Sequence, residues 1–386
     1  MQTSQSDFPR DQILFHTPMG DTAYFANESL IIEFAGKRGV VSASNLNGGY
    51  RTDLRYAFNQ SVGKRPEIRQ RRCTGMKGNN LMEHYALTAQ EIGLPASITT
   101  GMGTAALIEN MAIAQREYHG VKVMAVATAG IDVNGGRAGD PAAYDEFERK
   151  SLLPPPGTIN VFLFIDAKLD GGALTRAVMT ATEAKTAALQ ELMAPSRYSE
   201  GLATGSGTDT LIVICNEESD ITLYNAGKHV LLGEMIGQTV KDAVTDALDK
   251  QTGMNPSRQA SFLWQGVRYG ITEEKIRSYC KHIRQGVDDD TITPLIADLE
   301  RDNLLCTQIF AILHLIDQHR WGMVSLDSLK AVVQSLMDEI GVRHDLPERL
   351  DLDRERIHTP TSDTPPYKLI LSDLILLIAR IITKRT

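Results

Sequence analysis

The chain has 386 residues, of which 42% are hydrophobic and 23% charged, and its formal net charge is −8. This length is typical of two domains, and the hydrophobic content excludes a chain that is disordered throughout. The acidic balance disfavours a dedicated nucleic-acid-binding protein, because such a protein needs a basic surface. We therefore expect a globular protein that does not bind nucleic acid.

Four cysteines, Cys73, Cys215, Cys280 and Cys306, lie far apart and form no CxxC pair. They indicate reduced thiols rather than a zinc ribbon or a disulfide framework. The N-terminal segment MQTSQSDFPRDQ lacks the apolar core of a signal peptide. The apolar stretch 369–382 is too short to span a bilayer. We expect a cytoplasmic protein without membrane insertion.

Residues 29–250 alternate apolar runs that are typical of strands with stretches that are typical of helices, which predicts an α/β domain. In chain order the first predicted elements are a hairpin at 29–45, a helical stretch after residue 51, a basic solvated loop at 64–77, a helix at 79–92 and a small-residue turn that opens a helix at 101–115. Next come a buried strand at 121–131, a glycine-rich loop at 132–141, a buried strand at 158–167 and a long helix at 171–193. The last are a second glycine-rich loop at 203–209, a strand at 210–215 and a helix opened by AGKH that continues to residue 250.

Beyond residue 250 the pattern changes. Leu305, Ile309, Leu313 and Ile316 recur at helical spacing, and no segment stands out as a strand. We predict mixed β-sheets with flanking long helices, with a layered αββα arrangement as one option, followed by an all-helical domain. The predicted parts are an N-terminal extension at 1–28, the α/β domain at 29–250 and the helical domain, of no assigned role, at 251–386.

The helix at 171–193 carries two charged residues that need separate explanations. At 100° per residue, Lys185 falls within the apolar arc that contains Ala181, whereas Glu183 falls on the opposite side with Arg176. Lys185 either extends along apolar surface to water or ends in a cleft, where it holds an anion or acts with a lowered pKa. Glu183 is a solvated partner of Arg176, or it completes a capping box with Thr180.

The helix opened by AGKH places His229 in its first turn, on the same face as Leu232 and Ile236. An inward histidine is either a satisfied core residue or a general base, since a helix N-terminus keeps imidazole neutral. Glu234 points away from that face and is predicted to lie on the surface. The two glycine-rich loops could present backbone N–H groups to an oxyanion. The sequence contains no metal-binding motif, so we expect no metal site.

Several motifs occur in the order found in one known family: SASNLNGG (42–49), GMGTAA (101–106), ATAGIDVNGGRAGD (127–140), GTIN (157–160), TATEAKTAAL (180–189), ATGSGTDTLIV (203–213) and GKHVLLGEMIG (227–237). Together they resemble the adenosylcobinamide amidohydrolase (CbiZ-type) family. The resemblance implies hydrolysis of the amide that joins the corrin ring to aminopropanol in adenosylcobinamide. It implies a small-molecule corrinoid partner and no cofactor held by the protein, because cobalt enters with the substrate. Homo-oligomerisation is left open.

Amide hydrolysis requires an activated nucleophile, a stabilised oxyanion and a protonated leaving amine. Within the matched motifs we assign His229 or Glu183 as the base for a water, Lys185 with loop N–H groups near Gly205 or Gly207 as the oxyanion site, and Asp209 as the residue that orients His229. A rival mechanism uses Ser206 or Thr208 as a covalent nucleophile. The substrate-binding candidates are Asn47, Gly48, Gly49, Thr104, Asn134, Asn160, Thr182, Ser206 and Thr208.

Two other functions remain open at this stage. One is a corrinoid-binding or carrier protein that kept the pocket and does not catalyse hydrolysis. The other makes the C-terminal helical domain the functional core, with the α/β part as its scaffold.

Overall fold

The computed structural model describes residues 13–62, 77–142, 144–145, 147, 150–151, 157–346 and 364–386. The chain forms two compact units, Met1–Asn255 and Pro256–Thr386. In the first unit the strands are β1 (Ile13–His16), β2 (Thr22–Ala26), β3 (Ser29–Glu33), β4 (Arg38–Ser42), β5 (Gly49–Arg51), β6 (Tyr56–Ser61), β7 (Thr99–Thr104), β8 (Ala112–Tyr118), β9 (Val121–Gly130), β10 (Gly135–Gly136), β11 (Tyr144–Asp145), β12 (Lys150–Ser151), β13 (Thr158–Ile165), β14 (Lys168–Leu169), β15 (Gly205–Ser206), β16 (Thr210–Asn216) and β17 (Thr222–Leu223), and the α-helices are α1 (Leu81–Glu91), α2 (Gly171–Glu191) and α3 (Leu231–Thr252).

Two large sheets organise the first unit. One has the order β1-β2-β3-β6-β7 and the other β5-β4-β16-β13-β9-β8, and three short two-stranded pairs complete the described strands. Most neighbouring strands are antiparallel, but three pairs run parallel: β6 with β7, β13 with β16, and β14 with β17. The parallel pair β13 and β16 lies in the middle of the six-stranded sheet, so both strands begin at the same edge of that sheet.

The alternation of side chains along β13 shows how the layers pack. Val161 and Leu163 contact the residues of α2 and α3, whereas Phe162 and Phe164 pack into the core shared with the five-stranded sheet. On the far side of that sheet, residues of α1 complete a fourth layer around Phe58. The predicted α/β class with mixed sheets and a helical C-terminal region is therefore confirmed, and the layer order is αββα.

Local chemistry defines the ends of the long helices. Helix α2 begins after Asp170, whose side chain accepts a hydrogen bond from the Ala173 amide at 2.7 Å. Helix α3 ends at Gly253, which adopts the left-handed conformation (φ 70°) and closes the last turn. The apolar face predicted for α3 is buried, from Leu232 to Ala247. Because α2 connects the parallel strands β13 and β16, it brings the start of β16 back beside the start of β13.

Three predicted elements are wrong. The segment 29–45 is no hairpin, because β3 pairs within the five-stranded sheet and β4 within the six-stranded one. The stretch after residue 51 contains strand β6 rather than a helix, and the stretch 101–115 contains the end of β7 and the start of β8. In β7, a Cβ atom at Gly101 would lie 2.1 Å from Phe58 Cζ. Glycine at position 101 therefore allows the Phe58 ring to pack against the backbone of β7. Apart from Lys77, the basic segment 64–77 lies outside the described residues.

The second unit is helical throughout its described part. Its α-helices are α4 (Pro256–Gln259), α5 (Phe262–Gly266), α6 (Glu273–Ile283), α7 (Asp289–Glu300), α8 (Asn303–Arg320), α9 (Leu326–Arg343) and α10 (Pro366–Arg385). The residues predicted to share one face of α8 are buried, as is most of α10. A bidentate ion pair joins Arg268 to Asp317 inside this core, with N–O distances of 2.8 and 2.6 Å. None of the described helices has the length and apolar content to cross a membrane.

Candidate functional site

Lys185 projects from α2 toward the edge of the six-stranded sheet where β13 and β16 begin. Its Nζ lies 2.5 Å from Asp209 Oδ2, and the two side chains are only 15% and 12% exposed. The lysine therefore does not extend along apolar surface to bulk water, since it ends at a carboxylate in a largely buried position. A charge pair of this kind is stronger than its surface counterpart because the surrounding medium is less polar.

Asp209 fixes the second glycine-rich loop to the sheet. Its Oδ1 accepts hydrogen bonds from the Ile159 amide at 2.8 Å and from Ser206 Oγ at 2.7 Å. Its Oδ2 accepts the Lys185 ammonium and the Ser206 amide, the latter at 2.9 Å. These four donors account for the carboxylate, and His229 is not among them. The expectation that Asp209 orients His229 is therefore wrong.

The two glycine-rich loops pair with each other. Strand β10, from the first loop, is antiparallel to β15, from the second, with Gly135 opposite Ser206 and Gly136 opposite Gly205. The first loop is held in turn by Asp140, whose carboxylate accepts hydrogen bonds from Ser196 Oγ at 2.6 Å and from a backbone amide. Burial alone would raise the pKa of Asp140, but hydrogen bonds from Ser196 and other donors outweigh it and lower that pKa. The Ser206 amide donates to Asp209, so this N–H group is not free to hold an anion.

Side-chain donors from both loops converge on one backbone carbonyl, that of Gly157. Asn134 Nδ2 lies 2.6 Å from this oxygen, Thr208 Oγ1 3.0 Å and Ser206 Oγ 3.1 Å. A serine hydroxyl has one proton, and the carboxylate of Asp209 at 2.7 Å is the stronger acceptor for it. Asn134 and Thr208 are therefore the two principal donors to the Gly157 carbonyl, with Ser206 within reach.

A buried amide bridge joins the two large sheets beside this point. Asn160, on β13, donates to Asn59 Oδ1 on β6 and to the Gly103 carbonyl on β7, both at 2.9 Å. Asn59 in turn donates to Thr128 Oγ1 at 2.9 Å. Asn160 and Asn59 are almost fully buried. The bridge satisfies these polar groups and fixes the ends of four strands relative to one another.

His229 and Glu183 lie elsewhere. His229 is exposed and precedes α3, which begins at Leu231 after an N-cap at Val230 with extended backbone (φ −104°, ψ 155°). The expectation of an inward His229 in the first helical turn is therefore wrong. Glu183 is half-exposed and pairs with Lys228 at 2.6 Å rather than with Arg176. These residues line a shallow surface groove.

An apolar cavity of about 440 Å³ adjoins this groove and is lined by residues of β8, β9, β17, α3 and the loops between them, including Tyr118, Leu223 and Met235. The residues that line the groove and this cavity do not include Lys185, Asp209 or Gly157. This groove and this cavity are thus separate from the polar cluster.

The remaining predicted binding residues fall into two sets. Asn134, Asn160, Ser206 and Thr208 join Lys185 and Asp209 at the strand ends, and Thr104 ends β7 next to Gly103. The others have local roles. Asn47 adopts a left-handed conformation and donates to the Ala96 and Thr99 carbonyls, Gly48 packs on the Ser44 carbonyl, Gly49 has φ 80°, and Thr182 is exposed and bonds to its own helix.

Sequence reasoning missed three residues of the cluster: Gly157, Thr158 and Asn59. Gly157 and Thr158 belong to the motif GTIN, from which only Asn160 was selected. Asn59 lies in a stretch predicted to be helical, where its contribution to a sheet was not visible. In the described parts of the chain, no group of three or more His, Cys, Asp or Glu side chains is arranged to hold a metal ion.

Comparisons with known proteins agree with the extent of this unit. A family model described as adenosylcobinamide amidohydrolase matches residues 14–256. A protein of Methanocaldococcus jannaschii, itself uncharacterised, is 34% identical over 247 residues, which cover 61% of this chain and 91% of that protein. A Burkholderia beta-aminopeptidase (15% identity, 59% of this chain and 80% of that one, TM-score 0.29) and a protein of Pyrococcus horikoshii (12%, 61% and 80%, TM-score 0.30) are more distant structural matches and do not bear on the chemistry.

Proposed function

This chain belongs to the adenosylcobinamide amidohydrolase family, and from that premise we propose that it hydrolyses the amide between the corrin ring and aminopropanol in adenosylcobinamide. The products are adenosylcobyric acid and 1-aminopropan-2-ol, which suit corrinoid salvage toward coenzyme B12 in the cytoplasm. Cobalt reaches the site as part of the substrate. The family match spans both glycine-rich loops, α2 and the central strands, so it includes the whole polar cluster.

The observation that carries the proposal is the pair of donors on the Gly157 carbonyl. A peptide carbonyl is chemically the same group as the carbonyl of the substrate amide, so Gly157 stands in for it. Thr208 Oγ1 at 3.0 Å lies within the range of about 2.7–3.1 Å at which oxyanion donors act, and Asn134 Nδ2 at 2.6 Å lies just below it. Attack by water or by a hydroxyl produces the same oxyanion, so these donors have the same task in either mechanism.

Lys185 contributes charge to this environment. Its ammonium is tied to the loop that carries Ser206 and Thr208, and its pair with Asp209 holds it in a largely buried place. A fixed positive charge near a developing oxyanion lowers the energy of the transition state more than that of the neutral amide. Asp209 keeps the loop and the lysine in position, and Asn160 supports the strand ends. We assign both to positioning.

The proposal is tested with purified protein and adenosylcobinamide, followed by mass spectrometry of the corrinoid. Adenosylcobyric acid is the expected product. Thr208→Val removes one donor at nearly constant volume and is expected to lower kcat about 10²- to 10³-fold. Thr175→Val, on the exposed face of α2, is the matched control and should retain the wild-type rate.

Two outcomes would argue against hydrolysis. Unchanged substrate that co-elutes with folded protein would indicate a corrinoid carrier. Unchanged substrate that does not bind at all would remove both functions from this chain. A truncated protein that ends near residue 255 is expected to keep the activity, and complete loss with a folded first unit would assign an essential part to the helical unit.

A further inference from the structure

The peptide bond between Gly157 and Thr158 combines three features that together favour its own hydrolysis. They are the hydroxyl of Thr158, which begins β13 and is only 3% exposed, the Gly157 carbonyl that receives the donors described above, and a close fit around Gly157 that only glycine permits. We propose that the protein cleaves this bond itself and thereby makes Thr158 the N-terminal residue of a second chain. This activity goes beyond the proposed action on the corrinoid and needs no substrate other than the folded chain.

The first feature is the nucleophile. A threonine hydroxyl can attack the carbonyl carbon of the preceding residue through a five-membered ring, so covalent structure alone keeps the reacting groups close. Thr158 Oγ1 donates to the Thr208 carbonyl at 2.9 Å, with Asn160 Oδ1 at 3.3 Å as a second acceptor. The hydroxyl is therefore buried and oriented by acceptors.

The second feature is the polarised carbonyl. Asn134 Nδ2 and Thr208 Oγ1 donate to the Gly157 oxygen, on which negative charge would develop. Asn134 is buried, and its Oδ1 accepts no hydrogen bond from the described chain, a costly arrangement for a buried amide. Exchanging its two amide atoms would place an oxygen against the Gly157 carbonyl, so the donor orientation is the consistent one.

The third feature is the fit around Gly157. A Cβ atom there would lie 2.3 Å from Asn134 Oδ1 and 2.5 Å from the Gly130 carbonyl. Any other residue would push Asn134 away, so glycine is required for the donor to reach the carbonyl. The carbonyl carbon of a glycine is also the least hindered one for attack.

The reaction balances with water as its sole co-reactant. Thr158 Oγ forms a bond to the Gly157 carbonyl carbon, the C–N bond breaks, and the hydroxyl proton ends on the Thr158 nitrogen. Water then hydrolyses the resulting ester, so its OH becomes part of the Gly157 carboxyl group and its other proton returns to Thr158 Oγ. The products are chains 1–157 and 158–386, the second with a free α-amine next to its hydroxyl, which is a known arrangement for an amide-cleaving nucleophile.

The test is the mass of the purified full-length protein under denaturing conditions, with N-terminal sequencing. We expect two fragments whose summed mass exceeds that of the intact chain by one water, with the second beginning Thr-Ile-Asn-Val. Thr158→Ala should stay intact and Thr158→Ser should still cleave. Asn134→Ala should slow cleavage about 10²- to 10³-fold. Thr175→Ala, on the exposed face of α2, is the matched control and should cleave like the wild type.

A wild-type protein that is folded by circular dichroism and stays a single chain after prolonged incubation would overturn the proposal. So would cleavage at a different bond, or cleavage that persists in Thr158→Ala. The cleavage assay contains no corrinoid, so it is independent of the turnover assay with adenosylcobinamide. A chain that stays intact in the first assay and releases adenosylcobyric acid in the second would reject self-cleavage alone. A chain that is cleaved but shows no turnover would reject the corrinoid reaction alone.

Discussion

Replacing Gly205 by alanine should disrupt the ion pair between Lys185 and Asp209. A Cβ atom at position 205 would lie 2.3 Å from Asp209 Oδ2 and 2.6 Å from Lys185 Nζ, whereas ordinary contacts exceed 3.4 Å. The lysine end is flexible, but Asp209 is held by the Ile159 amide. The carboxylate and the ammonium therefore cannot both keep their places.

The magnitude follows from the burial of the pair. Breaking a fully buried pair costs about 3–5 kcal/mol. Because Lys185 and Asp209 are 15% and 12% exposed, water compensates part of the loss, and we expect about 2–3 kcal/mol. For a unit of this size each kcal/mol lowers Tm by roughly 2–4 °C, so the expected decrease is about 4–12 °C.

Gly207→Ala provides the matched control, because no atom lies within 4 Å of its added Cβ. Its effect should stay within about 0.5 kcal/mol. Both variants are compared by thermal unfolding in the Thr158→Ala background, so that every protein is a single continuous chain. Equal Tm values for the two variants would refute the close approach of Gly205 to the ion pair.

Further predictions concern other side chains. His229→Ala should stay within about twofold of the wild-type turnover of adenosylcobinamide, whereas Lys185→Met should lose about 10²- to 10³-fold while folded; the reverse ranking would move the active site to the surface groove. Burial raises the pKa of the Cys215 and Cys280 thiols to about 11, so they should be unreactive toward a disulfide reagent at pH 8 until the protein is denatured. Because these pKa values are raised on folding, their contribution to stability is complete below pH 9 and is lost as the pH rises toward 11, which denaturant titrations at both ends would detect. Asp317→Ala should destabilise the helical unit by about 3–5 kcal/mol, since it removes the bidentate carboxylate partner of the buried Arg268 guanidinium, and hydrogen exchange of that unit would measure it.

Much of the fold was predictable because a strand that is buried on both faces has a continuous run of apolar residues in its sequence. The strands at 121–131, 158–167 and 210–215 and the two long helices were identified in this way. The hairpin at 29–45 failed because a turn signal does not specify the sheet that each flanking strand joins. The strand at Gly101 was missed because its conformation depends on Phe58, which is distant in sequence.

The candidate site was predictable only in part. Helical periodicity placed Lys185 inward, but its partner Asp209 depends on the parallel pairing of β13 with β16, which no local pattern encodes. His229 was misplaced because the extended backbone of Val230 delays the start of α3. Thr158 lies in the motif GTIN, but no local pattern shows the donors that two separate loops bring to the carbonyl next to it.

The bridge from Asn160 to Asn59 also limits how the two sheets can slide. A few other hydrogen bonds cross between the sheets, such as that between Ser42 and Thr100, but their shared core is apolar, and apolar surfaces tolerate small translations because apolar contacts lack direction. The Asn160 amide keeps its hydrogen bonds in only one alignment of the two sheets, so the bridge fixes the position of one sheet relative to the other. A substitution in the five-stranded sheet can thus displace the edge of the six-stranded sheet where β13 and β16 begin. The reactive groups at that edge would move although none of them lies in the five-stranded sheet.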